Sequence, residues 1–174
     1  RRGDFAVQDW ILDSGAFTFQ SWRLAPTKGK IRKYELFGKL DTEREHFIKR
    51  YVQYCRTEGW KYDCYANFDY VPNGLVGYDM QKRLESDGIF PFPVEHGDDG
   101  LRWFRKYIDE GYKFFGISNA LRWGSRDRAT KFYEQVFNVA AKYDVFLHGF
   151  AVTDIELMLR FPWFSVDSAT LVQQ

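Results

Sequence analysis

Short apolar runs alternate along the chain with longer segments in which apolar side chains recur at helical spacing. The short runs predict six β-strands, over residues 10–12, 62–71, 89–94, 112–117, 145–150 and 164–166. The longer segments predict five helices, over residues 42–58, 75–85, 98–110, 126–143 and 154–159. Since strands that alternate with helices form βαβ units, the pattern predicts an α/β fold with a parallel sheet.

Two architectures fit this alternation, a doubly wound open sheet and a (β/α)8 TIM-type barrel. No G-x-G-x-x-G follows the first strand and no Walker motif occurs, which weakens the case for a nucleotide-binding open sheet. The six predicted strands are too few to close an eight-stranded barrel, which typically needs about 250 residues, whereas this chain has 174. We therefore expect one barrel domain over residues 1–174 that is incomplete because the chain is a fragment. A compact barrel variant is the alternative.

Polar or ionisable residues lie at the carboxyl ends of the predicted strands. In chain order these residues are Asp13, Asp69, Glu95 with His96, Ser118 with Asn119, His148 and Asp167. Barrels and open parallel sheets both build their active sites at this edge, so we expect the side chains to converge there. An aspartate after a strand is also a common helix N-cap, and this alternative stays open for Asp13 and Asp167. His148 is equally compatible with a hydrogen-bonded core imidazole.

Carboxylates that converge on one site can divide the chemistry between them. Close carboxylates push each other's pKa values apart, so Asp13, Asp69 and Asp167 can serve as nucleophile, acid/base and recognition group. Paired carboxylates are also the groups that cleave glycosidic bonds, where positive charge develops at the anomeric carbon. The three aspartates therefore make glycosidic-bond chemistry a candidate function.

Composition narrows the class of protein without giving its function. Aromatic residues make up 20% of the chain, which supplies core packing and also flat surfaces for planar ligands. The net charge of +1 gives no global case for nucleic-acid binding. No apolar stretch is long enough to span a membrane, and no signal peptide is visible. The two cysteines, Cys55 and Cys64, indicate neither a disulfide framework nor a zinc site, so we expect a cytoplasmic protein.

One segment, residues 23–40, does not fit the βα repeat and is predicted as a loop inserted after the first strand. It concentrates basic side chains, among them Lys28, Lys30, Arg32 and Lys33, and interleaves them with aromatic residues. Basic groups suit a phosphate backbone and aromatic rings stack on bases, so the segment is a candidate nucleic-acid-binding loop. An ordinary solvated loop accounts equally well for such a charge run.

Several short strings occur in the order found in a known family. Residues 13–17, Asp-Ser-Gly-Ala-Phe, resemble the Asp-Ser-Gly-Gly-aromatic signature of the tRNA-guanine transglycosylases. Residues 92–97, 149–153 and 164–168 read Phe-Pro-Val-Glu-His-Gly, Gly-Phe-Ala-Val-Thr and Phe-Ser-Val-Asp-Ser. These three strings are more similar to the phage and bacterial relatives that insert 7-deazaguanine bases into DNA. The resemblance covers about residues 11–170.

The resemblance implies a (β/α)8 barrel and a base-exchange reaction. In that reaction an aspartate attacks the ribose C1′, expels guanine and holds a covalent intermediate until a base such as preQ0 displaces the enzyme. By position, Asp167 resembles the nucleophile and Asp13 the general acid/base. Asp69 resembles the carboxylate that hydrogen-bonds the purine edge, and Phe17 an aromatic residue that covers the base. The other implied substrate-binding positions are Ser14, Glu95 or His96, Gly116, Ile117, His148 and Gly149.

Departures from the family pattern leave parts of the reaction open. Ala16 replaces the second glycine of the signature, which ordinary backbone angles at that residue would tolerate. The glycine-rich string of the tRNA enzymes is reduced to Phe-Gly-Ile-Ser-Asn at residues 115–119, so the identity of the incoming base is not fixed. The family's zinc site lies beyond the nucleophile, and we expect zinc ligands only in a missing C-terminal segment.

The expected partners are a nucleic acid and a free 7-deazaguanine base, in the cytoplasm of a bacterium or a phage-infected host. The strings favour DNA over tRNA as the polymer. The sequence leaves open whether the chain forms a homodimer or joins a partner subunit. Two other functions compete with base exchange: a non-catalytic barrel that binds nucleic acid or a catalytic subunit, and a hydrolase that cleaves a glycosidic bond with water.

Overall fold

The computed structural model describes residues 10–16, 33–69, 73–97, 100–118 and 124–167, with the backbone alone over 33–41. The strands are β1 (Ile11–Leu12), β2 (Cys64–Tyr65), β3 (Val94–Glu95), β4 (Phe114–Ile117), β5 (Phe146–Gly149) and β6 (Ser165–Val166). The helices are α1 (Lys33–Glu58), α2 (Gly74–Ser86), α3 (Arg102–Asp109), α4 (Arg126–Tyr143) and α5 (Ile155–Arg160), with a 3₁₀ turn at Gly59–Lys61. Each predicted strand and helix is confirmed by an element that overlaps it.

The described strands pair in parallel throughout. β1 pairs with β2, and the other four strands form one sheet in the order β3-β4-β5-β6. A helix lies between each strand of this sheet and the next along the chain, namely α3, α4 and α5. The prediction of an α/β fold with parallel strands is therefore confirmed.

The chain divides into two compact units, each with its own core. The two-stranded unit contains the described residues up to Asp69 together with Met80–Pro91, and the four-stranded unit contains residues 73–79 and those from Phe92 onward. In the two-stranded unit one apolar face of α1 packs into the core, where Phe47 is half-buried and its neighbours along the face are buried. Its residues Ile48, Tyr51, Val52 and Cys55 pack in one cluster with Phe68, Met80, Leu84 and Ile89.

The core of the four-stranded unit lies between its sheet and its helices. The buried apolar residues of α3 and α4 include Phe104, Ile108, Phe132, Val136, Val139 and Ala140, and the buried Leu101 directly precedes α3. They pack against Phe115, Ile117 and Leu147, the sheet residues that point towards the helices. Because side chains alternate along a strand, Gly116 and His148 belong to the opposite face of the sheet.

The start of helix α1 differs most from its prediction. Helix α1 begins at Lys33, so the prediction of a loop through residue 40 is wrong from there on, and residues 23–32 lie outside the described residues. The sequence there is rich in good helix formers such as lysine, glutamate and leucine, which the basic and aromatic pattern obscured. Ser125 is the N-cap of α4, and Asp154 is the N-cap of α5.

None of the helices in the described part of the chain combines the length and the apolar character that crossing a membrane requires.

Candidate active site

In the two-stranded unit, a tight turn follows β1 and carries the first predicted carboxylate. Asp13 is exposed, and its Oδ1 accepts a hydrogen bond from the N–H of Gly15 at 3.2 Å. Gly15 has φ of 73°, and a β-carbon there would lie 3.2 Å from Cζ of Phe47, so the turn depends on glycine. Ala16 is buried and is not among the residues with positive φ, which is why the turn tolerates it in place of a second glycine.

The neighbouring strand β2 continues into residues that lie beside this turn. The N–H of Ala66 donates to the carbonyl of Leu12 at 3.0 Å, and the hydroxyl of Tyr51 donates to the carbonyl of Ala66 at 2.6 Å. Burial, above all, raises the pKa of Tyr51, and the carboxylate of Asp13 adds to the effect. Tyr51 therefore stays a neutral hydrogen-bond donor near Asp13, and Asp69 follows, half-buried, three residues beyond Ala66.

In the four-stranded unit, the register aligns the predicted site residues at the carboxyl edge of the sheet. Glu95 pairs with Ile117, Ile117 with Gly149, and Gly149 with Val166, the residue before Asp167. The N–H of Asp167 donates to the carbonyl of Gly149 at 3.0 Å. The predicted site residues of β3, β4 and β5, and Asp167 directly after β6, thus lie at one edge of the sheet.

Asp167 presents an exposed carboxylate at this edge. Its Oδ1 accepts a hydrogen bond from the N–H of Ala151, which lies in the loop after β5 and has φ of 51°. This bond ties the end of β6 to the loop after β5 and orients the carboxyl group. One carboxylate oxygen is thereby engaged by the backbone, while Oδ2 has no hydrogen bond in the part of the chain described.

His148 lies beside Asp167 in an almost fully buried position, 5% exposed. Its Nδ1 is 2.8 Å from Oγ of Ser165, and its ring meets the ring of Phe150 edge to face with centroids 4.6 Å apart. Burial lowers the pKa of His148, and the negative charge of Asp167 opposes this shift in part. The imidazole is therefore neutral at neutral pH, buried and hydrogen-bonded.

Gly116 forms the floor of a small aromatic cluster at the same edge. A β-carbon at this position would clash with the ring of Phe150 and would lie 3.1 Å from Cε2 of Phe92. The rings of Phe92 and Phe150 are stacked, with centroids 6.1 Å apart. A glycine is required at position 116 because two aromatic rings occupy the space that a side chain would need.

Glu95 and His96 follow β3, and the structure distinguishes their surroundings. Glu95 is 5% exposed, and its Oε1 accepts a hydrogen bond from the N–H of Gly97 at 2.6 Å. His96 is half-buried. Glu95 thus shapes the turn that follows β3. That Glu95 or His96 contacts a base stays a prediction.

Sequence reasoning missed three contributors to this edge. Ser165, Phe150 and Phe92 all contact predicted site residues, but none was selected as a site residue itself. Each lies within four residues of a predicted site residue. Phenylalanine is an ordinary core residue and serine an ordinary surface residue, so closeness in sequence to a predicted site residue was the one signal available.

Several predicted site residues lie where the structure gives no side-chain description. Phe17, Lys28, Lys30 and Arg32 are outside the described residues, and Lys33 is described by its backbone at the start of α1. Their roles in covering a base and in binding nucleic acid stay predictions. Among the described residues, no group of three or more histidine, cysteine or acidic side chains is arranged to hold a metal ion.

An apolar groove of about 370 Å³ lies at the other ends of the strands. Phe146, at the start of β5, and Phe164, just before β6, line it together with Trp163. The groove is separated from His148 and Asp167 by the length of these strands, so it does not belong to the candidate active site.

Comparison with protein-family models, with curated proteins and with solved structures found no match to this chain.

Proposed function

We propose that the chain is a guanine transglycosylase that exchanges guanine in a nucleic acid, DNA in preference to tRNA, for a 7-deazaguanine base such as preQ0. The observation that carries the proposal is the pair formed by an exposed Asp167 carboxylate and a buried, neutral His148 at one sheet edge. A carboxylate whose second oxygen is engaged by none of the described residues is a competent nucleophile, and a neutral imidazole beside an aromatic cluster suits a planar base.

The fold that this proposal requires is an incomplete (β/α)8 barrel. Two features of the four-stranded unit support it. Its parallel strands follow one another in chain order, as the strands of a barrel do. The sheet face opposite the helices carries aromatic side chains. Phe146 and Phe164, at the amino-terminal ends of β5 and β6, are 48% and 54% exposed. Closure into a barrel would bury both faces of such a sheet.

Asp167 acts as the nucleophile in the proposed reaction. Its Oδ2 attacks C1′ of the nucleotide while the C1′–N9 bond breaks and the electron pair leaves with guanine. The N–H of Ala151 holds Oδ1, so the other oxygen is directed to the substrate. In the second half of the reaction, N9 of the incoming base attacks C1′, and the Asp167–C1′ bond breaks. Positive charge develops on the sugar during both steps, and carboxylates stabilise the same kind of charge in glycosidases.

Asp13 acts as the general acid and base for the two bases. Guanine needs a proton as it departs, and the incoming base must lose one when its nitrogen bonds to C1′. Asp13 is exposed, so it can exchange protons with a bound base or with water. Its hydrogen bond from the N–H of Gly15 keeps the carboxyl group oriented. Asp69 and Ser14 bind the edge of the base in the proposed reaction.

Trapping the covalent intermediate tests the proposal. The protein is incubated with a guanine-containing DNA duplex, and separately with tRNA, in the absence of an incoming base. The products are separated under denaturing conditions, and any adduct is mapped by peptide mass spectrometry. We expect an adduct on Asp167 that is lost in Asp167→Asn. An adduct on another residue, or one that persists in Asp167→Asn, would contradict the assigned nucleophile. Asp13→Asn is the matched carboxylate variant: it should form less adduct, because the departing guanine lacks its proton donor, and the adduct that forms should still map to Asp167.

A further inference from the structure

His148 is held from two sides within the four-stranded unit. Oγ of Ser165 on β6 lies 2.8 Å from its Nδ1, and the ring of Phe150 packs against it edge to face. With 5% of the residue exposed, the ring has little freedom to turn. The bond to Ser165 engages Nδ1, so Nε2 is the ring nitrogen that remains for a ligand.

Either Oγ of Ser165 or Nδ1 of His148 can donate in this bond, and the need of the hydroxyl favours donation by Ser165. A hydroxyl hydrogen that is withdrawn from water requires an acceptor. Nδ1 of His148 is the acceptor that the described residues give to the half-buried Ser165. Burial lowers the pKa of His148, so Nδ1 keeps its lone pair at neutral pH. When Ser165 donates to Nδ1, the single ring proton of the neutral imidazole lies on Nε2.

The neighbours of His148 across the sheet leave this N–H on the face opposite Phe115, Ile117 and Leu147, which pack against the helices. On one side the register pairs His148 with Ser165, and on the other with Gly116. Gly116 has no side chain that could accept from Nε2, and the contact with Phe150 is apolar. The protein thus places a fixed donor among aromatic rings and supplies no acceptor for it among the described residues.

We propose that Ser165 is a positioning residue that holds His148 as the Nε2–H tautomer, and that this N–H donates to an acceptor atom of the bound base. The inference rests on the proposed base-exchange function, which supplies the ligand. The proposal predicts that the bound base presents a carbonyl oxygen or an unprotonated ring nitrogen to Nε2 of His148. A base whose matching atom carries a proton would leave two hydrogens facing each other and would be rejected.

The tautomer can be measured without any assay of function. The chain has three histidines, so ¹⁵N–¹H NMR correlations of the imidazole rings can be assigned by single substitutions of His46 and His96. We expect the Nε2–H tautomer for His148 in the parent protein and a shift towards the other tautomer in Ser165→Ala. Ser165→Thr keeps the hydroxyl and a strand-forming residue, so it should restore the parent spectrum. A His148 spectrum that is the same in Ser165→Ala as in the parent protein would overturn the role of Ser165.

The base-exchange reaction supplies the second readout. Ser165→Ala should raise KM for the incoming base about tenfold, the scale of one buried hydrogen bond, with kcat within about twofold. Ser165→Thr should lie close to the parent protein, as should Ser86→Ala, a serine substitution in the other unit. An unchanged KM in an active Ser165→Ala enzyme overturns the proposal. A parent protein with no exchange activity overturns the proposed function and the ligand assigned to Nε2, and the NMR measurement then decides the role of Ser165 alone.

Discussion

The ring of Phe150 lies directly over the α-carbon of Gly116, although the two residues belong to different segments of the chain. A methyl group at position 116 would clash with this ring and crowd the ring of Phe92 behind it. Because Gly116 is buried, the rings must move to accept it. We expect Gly116→Ala to lower the free energy of unfolding by about 1–3 kcal/mol, as overpacking of a core does. Denaturant titration measures the change.

Gly77 provides the matched control for this substitution. It lies within α2, where a β-carbon would meet no heavy atom within 4 Å. Alanine is the better helix former, so Gly77→Ala should raise the free energy of unfolding by up to about 1 kcal/mol. Equal effects of the two glycine substitutions would contradict the packing described around Gly116.

Glu45 and Arg83 join α1 to α2 through a two-pronged ion pair. Nη1 and Nη2 of Arg83 lie 2.7 and 2.6 Å from the two carboxylate oxygens of Glu45. The hydrogen bonds from Arg83 hold the pKa of Glu45 below its ordinary value of 4.5. A carboxyl group with a depressed pKa contributes stability that is fully present above its unfolded value and is lost as the pH falls through its folded value.

This ion pair predicts a pH dependence of stability. Both side chains are more than one third exposed, so solvent screening limits the contribution to about 0.5–1 kcal/mol. Glu45→Gln should lower the free energy of unfolding by this amount at pH 7 and should make no difference once the pH is well below 4.5. Arg83→Lys keeps the charge but not the paired geometry, so it should lose part of the effect. A Glu45→Gln difference that persists unchanged at low pH would contradict the assignment.

Ser125 begins α4 by accepting a hydrogen bond from the N–H of Arg128 at 3.2 Å. Removing an N-cap side chain typically costs about 1 kcal/mol. We expect this loss for Ser125→Ala in thermal or denaturant unfolding. Asp127→Ala, in the first turn of the same helix, should cost about 0.3–0.5 kcal/mol through its interaction with the helix dipole. A larger loss for Asp127→Ala than for Ser125→Ala would show that the cap is assigned to the wrong residue.

The basic segment predicts how binding responds to salt. If Lys28, Lys30, Arg32 and Lys33 neutralise phosphates, replacing all four by alanine should weaken binding to DNA. It should also flatten the dependence of log K on log salt by about 0.9 for each phosphate that the variant leaves unneutralised. Fluorescence anisotropy at several salt concentrations measures both. Replacing the exposed Lys131 and Lys142 of α4 provides a charge control. A salt slope equal to that of the parent protein would contradict a role in binding phosphates and would indicate that the segment is an ordinary solvated surface.

The sequence predicted the elements well where apolar periodicity is strong. Helix α4 has the predicted bounds, because Phe132, Val136, Val139 and Ala140 repeat at helical spacing and are all buried. The ends of β1, β4 and β6 were also predictable, since a polar residue directly follows the last apolar residue of each. Asp167 was found in this way, and the structure places it at the carboxyl edge of the four-stranded sheet.

The parts that could not be predicted depend on contacts between distant segments. The bond between His148 and Ser165 joins residues 17 positions apart, and it exists because β5 and β6 pair in one particular register. The same holds for Phe150 over Gly116, since nothing local to either residue indicates the other. The N-cap of α4 could not be predicted for a different reason. Ser125 and Asp127 are both good capping residues and lie close together, so the sequence did not distinguish them.

A base-exchange assay tests the central claim most directly. DNA and tRNA with labelled guanine are incubated with the protein, each with and without preQ0, and release of label is followed. We expect release from DNA that requires preQ0 and that falls at least about a thousandfold in Asp167→Asn, a variant that keeps an acceptor for the N–H of Ala151. Release that does not require preQ0 would indicate a hydrolase, and no release from either polymer would indicate a non-catalytic subunit; either result would contradict the proposed function.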